Sequence, residues 1–114
     1  MSVVAAQTEK DFQAAVLDLA HVLGWSTAHF HDSRRQVKPG VFVGDADAAG
    51  FPDLVLVRER VVFVELKAES GRLSKAQLRW VAVRGEAGQE VYVWRPSSFE
   101  LVEVVLARRG RVAA

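Results

Sequence analysis

Two short runs of apolar, β-rich residues with three charged residues between them constrain the fold of this chain more than any other feature. Residues 54–57 read Leu-Val-Leu-Val, residues 61–64 read Val-Val-Phe-Val, and Arg58-Glu59-Arg60 lies between them. Runs of this composition joined by a short polar segment are typical of two antiparallel strands. The sequence therefore predicts a β-hairpin with a charged turn.

Charged residues also stand at the open end of this hairpin. Asp53 precedes the first run, and Glu65 and Lys67 follow the second. Because strand side chains alternate, Glu65 and Lys67 point to one face. A two-residue turn would face Asp53 away from Glu65, whereas a three-residue loop places the two opposite each other, as would a bulge or bend near Pro52. A site that uses Asp53 and Glu65 together therefore requires the three-residue loop, or a bulge or bend near Pro52.

Further elements follow from periodicity and from capping residues. Thr8 begins a first amphipathic helix, and Ser74 with Gln77 forms a capping box for a second. Ser97 with Glu100 indicates the start of a last helix. The predicted spans are helices over 9–23 and 75–87, strands over 25–30 and 91–94, and a long loop over 32–50 with a short strand at 41–43. This order predicts an α/β fold, a mixed sheet with helices against it.

Size and composition narrow the class of protein. The 114 residues suit one domain, 1–114, in which we expect residues 1–7 to be flexible. The absence of cysteine excludes disulfides, thiol catalysis and cysteine-ligated zinc. No signal peptide and no apolar run of membrane-spanning length is evident, so we expect a cytoplasmic protein without membrane contact.

Basic residues occur in clusters although the net charge is only +1. DNA binding would therefore depend on local clustering, and each cluster is equally well explained as a solvated face. The clusters are Arg34-Arg35 with Lys38, Arg58 with Arg60, Arg72 with Lys75 and Arg79, and Arg108-Arg109 with Arg111.

The charged open end of the hairpin suits metal chemistry. Asp53, Glu65 and the backbone carbonyl of Leu66 would form an oxygen-rich site of the kind that Mg²⁺ prefers. Such an ion polarises a phosphodiester and activates water, and Lys67 beside it could orient that water. The alternative is a surface hairpin that ends in a Glu-Lys pair.

A family resemblance favours the metal site. The sequence from Gly50 to Leu54 followed by that from Val64 to Lys67 resembles the PD-(D/E)XK nuclease signature. Residues 50–96 resemble more narrowly the VRR-NUC family, of the stand-alone phage or bacterial type. The matching segments are Glu65-Leu-Lys67-Ala, Gly71-Arg-Leu-Ser74, Gln77-Leu-Arg-Trp80, Ala87-Gly88 and Val93-Trp-Arg-Pro96.

This resemblance implies a restriction-endonuclease-like fold and roles for particular residues. Asp53 and Glu65 would ligate Mg²⁺ or Mn²⁺, and Lys67 would be the catalytic lysine. Glu9 matches a further metal-binding carboxylate on the first helix, although a first-turn glutamate is also favoured by the helix dipole. Gln77 matches a family glutamine near the active site, and it could cap its helix, serve the site, or do both.

The resemblance also implies the substrate and the assembly. Stand-alone members resemble nucleases that cut four-way (Holliday) DNA junctions as homodimers, and apolar residues 101–102 and 104–105 would suit a dimer surface or complete the monomer's core. The residues expected to contact DNA are His29, Arg34, Arg35, Arg72 and Lys75. The alternatives are a catalytically silent nucleic-acid-binding module and a nuclease subunit of a restriction or recombination complex.

Two remaining features favour structural roles. His29 and His31 lie on one strand face, but no further ligand of suitable spacing follows, so zinc binding is disfavoured. Trp80 and Trp94 could stack on bases, but their helix and strand positions predict core packing.

Overall fold

The structure is a computed structural model that describes residues 8–30, 35–38, 41–43 and 49–110. The expected flexibility of residues 1–7 lies outside these ranges. In chain order the elements are α1 (Glu9–Val22), β1 (Ser26–His29), β2 (Arg35–Lys38), β3 (Val41–Val43), β4 (Leu54–Val57), β5 (Val61–Leu66), α2 (Lys75–Glu86), β6 (Glu90–Trp94), a 3₁₀ turn (Pro96–Ser98) and α3 (Phe99–Ala107).

The central sheet has the strand order β1-β4-β5-β6. β4 pairs antiparallel with both β1 and β5, whereas β5 and β6 are parallel and are connected through α2. The predicted α/β fold with a mixed sheet is confirmed. No helix among the described ranges is long and apolar enough to cross a membrane.

A separate two-stranded sheet, formed by β2 and β3, lies within the span predicted as a loop. The short strand expected at Val41–Val43 is confirmed, but the loop prediction is wrong at Arg35–Lys38. The run Arg-Gln-Val-Lys contains one apolar residue and gives no strand pattern of its own. The strand therefore depends on its pairing with β3 and not on its own sequence pattern.

The helix ends follow their capping residues, with one exception. The Thr8 side chain accepts from the Asp11 amide at 3.0 Å, and the capping box of Ser74 and Gln77 is formed in full. The last helix begins differently from the prediction, because a 3₁₀ turn precedes it and α3 starts only at Phe99. The Ser97 amide donates to the Glu69 carboxylate at 2.9 Å, so Ser97 ties this turn to the loop after β5.

The core lies on one face of the central sheet, between the strands and helices α1 and α3. Phe12 of α1 packs edge-on against Phe99 of α3, with ring centroids 6.4 Å apart. Core packing of Trp94 is confirmed, whereas Trp80 is only half-buried. The buried apolar side chains are Phe12, Val16, Ala20, Trp25, Leu54, Leu56, Val62, Val64, Leu66, Trp94, Val102, Val105 and Leu106.

Helix α2 covers the opposite face of the sheet, and this layering positions the site. The Arg84 guanidinium lies 3.8 Å from the centroid of the Phe63 ring on β5. Side chains that alternate with the core residues of β4 and β5 face α2, and Asp53 and Glu65 belong to this set. No residue of α2 is fully buried, so this layer is more exposed to solvent than the core on the other face.

Candidate active site

The hairpin has the three-residue loop that places Asp53 opposite Glu65. Val57 pairs with Val61 and Leu54 with Val64, so the loop contains three residues, 58–60. The Arg58 amide donates to the Arg60 carbonyl at 3.0 Å and closes it. Continuing this register by one position places Asp53 opposite Glu65, on the face covered by α2. The prediction from side-chain parity is therefore confirmed.

Glu65 is a buried carboxylate whose two oxygens have different surroundings. The side chain is 1% exposed. Its Oε1 accepts from Nε2 of Gln77 at 2.7 Å, whereas its Oε2 is buried without a hydrogen-bond partner. A buried polar oxygen without a hydrogen-bond partner is costly, and native proteins rarely leave one unless a proton, ligand or ion satisfies it.

Asp53 adds a second negative charge to the same place. One of its oxygens, Oδ2, accepts from the Leu66 amide at 3.2 Å, which holds the carboxylate beside the end of β5. Burial and then the charge of Asp53 raise the pKa of Glu65 to about 8, and the charge of Lys67 acts in the opposite direction. Without a cation, this pair of carboxylates therefore retains a proton near neutral pH.

Gln77 caps its helix and also contacts Glu65. Its Oε1 accepts from the Ser74 amide at 2.8 Å, which completes the capping box. Because that oxygen must face an N–H, the Nε2 end of the amide must face Glu65. One side chain therefore joins the first turn of α2 to the buried carboxylate.

Lys67 and Leu66 are fixed by the end of β5. The Lys67 amide donates to the Trp94 carbonyl on β6 at 3.0 Å, its side chain is half-buried, and its charge lowers the pKa of Glu65. The Leu66 side chain is buried in the core, so that residue offers the site only its backbone. Its carbonyl as a metal ligand remains a prediction.

Glu9 is placed apart from these groups. It is exposed in the first turn of α1. Across the described ranges, no three carboxylate or imidazole groups are gathered closely enough to hold an ion together, so Glu9 does not complete a triad with Asp53 and Glu65. Its position is also that of a glutamate favoured by the helix dipole, and its role as a ligand stays a prediction.

The structure describes some of the residues that were expected to contact DNA. Arg72 and Lys75 are exposed, and Lys75 begins the helix whose third residue is Gln77. His29 ends β1 opposite Leu54, one residue from Asp53. Arg34 and His31 lie outside the described residues, and for Arg35 the structure describes only its place at the start of β2.

The arginines of the hairpin turn have structural partners instead. Arg58 donates to the carbonyls of Leu23, Leu106 and Arg108, at the ends of α1 and α3. Arg60 donates to the carbonyls of Val105 and Arg108 and forms an ion pair with Glu90 at 2.9 Å. Both guanidinium groups lie over the Trp25 ring, 4.5 and 5.0 Å from its centroid. The structural explanation of this basic cluster is therefore the one that the contacts support.

An aromatic cluster that holds α2 to the sheet was missed by the sequence analysis. Arg84 lies over Phe51, Phe63 and Trp80, and the Trp80 indole donates to the Ala49 carbonyl at 2.8 Å. The only local signal is the four-residue spacing of Trp80 and Arg84, which places both on one helix face. Their partners come from distant strands and leave no local pattern.

The half-buried carboxylate of Asp53 and the buried one of Glu65 stand at the end of a hairpin, with Lys67 two residues after Glu65. Comparison with known proteins gives the family to which such a chain belongs. The VRR-NUC domain model matches residues 19–104. A solved structure described as a VRR_NUC domain shares the fold, with a TM-score of 0.61 and 23% identity over 88% of this chain and 96% of that one. A search of curated proteins found no match. The chain belongs to the VRR-NUC family of nuclease domains.

Proposed function

We propose that this protein is a divalent-metal-dependent endonuclease that hydrolyses DNA phosphodiester bonds, with Mg²⁺ or Mn²⁺ as its cofactor. The observation that carries the proposal is the unpartnered, buried Oε2 of Glu65 beside the carboxylate of Asp53. Both groups are hard oxygen donors, the kind that Mg²⁺ and Mn²⁺ bind. A divalent cation would satisfy Oε2 and neutralise the two charges.

The residues that would hold the ion are Asp53, Glu65 through Oε2 and the Leu66 carbonyl, with Glu9 as a further candidate. When bound, the ion supplies Lewis acidity toward the phosphate and an activated water. Gln77 donates to Oε1 of Glu65, so Oε2 is the oxygen that would be left for the ion.

Lys67 brings the positive charge of the site. Its ammonium group would orient the attacking water and counter the charge that builds on the phosphate oxygens, whereas only its neutral amine form would take up the proton that this water loses. The effect of its charge on the pKa of Glu65 supports a place beside the carboxylates.

We further propose that the substrate is branched DNA, with a four-way junction as the leading candidate, and that the working form is a cytoplasmic homodimer. Two symmetric cuts need two equivalent sites, which a two-fold dimer provides. On α3, Val102 and Val105 are buried in the monomer's own core, while Leu101 and Val104 are 53% and 62% exposed. The apolar surface left for a partner is therefore about half of what the sequence alone suggested.

Two other functions compete with this one. A silent nucleic-acid-binding module would have no chemical need for a buried, unpartnered carboxylate oxygen, and its purified chain would bind DNA without cutting it. A nuclease subunit of a restriction or recombination complex would keep the same site and would cut only when its partners are added.

The test is cleavage of four-way junctions, flaps, duplexes and single strands by the purified chain, with Mg²⁺, Mn²⁺, Ca²⁺ or chelator. We expect cutting with Mg²⁺ and Mn²⁺, binding with little cutting in Ca²⁺, and no cutting in chelator. Light scattering should give a dimer, with paired cuts on opposing junction strands. Cleavage that persists in chelator would contradict the metal assignment.

A further inference from the structure

We propose that Gly50 is a positioning residue that seats the first turn of α2 so that Gln77 can hold Glu65. This inference rests on the function proposed above, and it concerns a residue outside the metal site. Gly50 has a φ of +78°, a conformation that residues with a side chain rarely adopt. It lies three residues before Asp53 on the segment that leads into β4.

The close approach of this segment to α2 requires a glycine for a second reason. A Cβ atom at position 50 would lie 2.3 Å from the backbone carbon of Ala76 and 2.5 Å from the backbone nitrogen of Gln77. Ordinary carbon contacts begin at about 3.5 Å. Backbone atoms cannot rotate out of the way, so any side chain at position 50 would displace the first turn of α2 by roughly 1 Å.

A displacement of that size would separate Gln77 from the site. Its bond from Nε2 to Oε1 of Glu65 is 2.7 Å long, and a hydrogen bond is lost once the distance exceeds about 3.5 Å. The neighbouring residue, Ala49, accepts from the Trp80 indole at 2.8 Å, so residues 49 and 50 together fasten α2 to the segment that carries Asp53. Gly50 thereby sets the distance between the two elements that build the site.

The chain offers a matched control for this claim. Gly88 has the same φ of +78°, but a Cβ there would meet nothing within 4 Å. Gly50→Ala and Gly88→Ala therefore share the backbone strain and differ in the contact with α2. Both variants also carry Gly85→Ala, which offsets part of the destabilisation. A Cβ at position 85 meets nothing within 4 Å, and alanine is a better helix former than glycine.

Kinetics separate positioning from general damage. We expect Gly50→Ala to lower kcat by about 100-fold, the loss typical of a 1 Å misplacement, with little change in KM, and Gly88→Ala to leave both unchanged. In a Gln77→Ala background, adding Gly50→Ala should lower kcat further by less than about threefold, because the contact through which it acts is already gone. A loss in that background as large as the loss with Gln77 in place would overturn the proposal.

A readout that does not need cleavage keeps this test distinct from that of the proposed function. The side-chain amide resonance of Gln77 should shift in Gly50→Ala and stay in place in Gly88→Ala, and an unchanged resonance in Gly50→Ala would overturn the proposal. If the wild type cuts nothing, the proposed function fails while this measurement still decides the positioning. If Gly50→Ala does not fold, Ala76→Val can be used instead, because it adds bulk to the helix side of the same contact. An unshifted Gln77 resonance in that variant would also overturn the proposal.

Discussion

The two ends of the β4–β5 hairpin both carry charged residues, but the charged groups have partners at the turn, whereas one carboxylate oxygen lacks a partner at the open end. At the turn, Arg58 and Arg60 donate to helix carbonyls, and Glu59 accepts from both arginines and from the Gly110 amide. At the open end, Glu65 is buried against Asp53, and one of its oxygens has no donor. The same two strands therefore carry one satisfied end and one unsatisfied end.

Under the proposed function, the difference separates charges that stabilise the fold from charges that serve chemistry. A guanidinium that donates to carbonyls at a helix C-terminus satisfies groups that the helix leaves open and complements its dipole. Two carboxylates held together oppose folding until a proton or a cation joins them. We expect substitutions at the turn to act on stability, and substitutions at the open end to act on cleavage.

The largest expected effect comes from exchanging one carboxylate at each end. Glu65→Gln keeps the size of the side chain but removes a ligand charge, and it should lower the cleavage rate by about a thousandfold or more. Glu59→Gln should reduce stability and leave the rate per folded molecule unchanged. The checks are single-turnover cleavage and thermal unfolding of both variants. Equal rates for Glu65→Gln and the wild type would remove the distinction between the two ends.

A second expected effect is the pH dependence of stability in the metal-free protein. The pKa of Glu65 is raised from an ordinary value of 4.5 to about 8 in the folded state, so the folded chain retains a proton that the unfolded chain releases. Stability should therefore fall as the pH rises from about 5 to about 8 and then level off, by an amount on the order of a few kcal/mol. Denaturant unfolding in chelator measures this slope. The same slope in Glu65→Gln would assign it to another group.

The smallest effect is expected at the turn. Arg58→Ala removes hydrogen bonds to carbonyls at the ends of α1 and α3 and the contact with Trp25, and it should lower the free energy of unfolding by about 2 kcal/mol. Arg109→Ala is the control, because that side chain is 77% exposed and its ion pair with Glu59 is 3.9 Å long. A stability change no larger than that of the control would show that the turn arginines are not structural.

The sequence predicted the parts of this comparison that depend on local rules. Side-chain parity required the three-residue loop that places Asp53 opposite Glu65, and the spacing of Ser74 and Gln77 predicted the capping box. The capping glutamine also pointed to the site, because the residues that follow it resemble a known family.

The remainder depends on contacts between residues far apart in the chain. Arg60 and the Val105 carbonyl are 45 positions apart, so no local pattern could distinguish a structural arginine from one that binds DNA. The strand Arg35–Lys38 owes its pairing to β3 rather than to its own sequence. The distance of Glu9 from the carboxylate pair likewise depends on how α1 packs, which helical periodicity does not fix.

The central claim is that the open end of the hairpin binds a divalent cation through Asp53 and Glu65. Calorimetric titration of the protein with Mn²⁺ at pH 7, repeated in buffers of different ionisation enthalpy, tests it most directly. We predict one ion per chain and release of close to one proton, because Glu65 holds a proton at that pH until the ion replaces it. Glu65→Gln should bind more weakly and release no proton. Absence of binding to the wild type, or equal binding and equal proton release in Glu65→Gln, would contradict the claim.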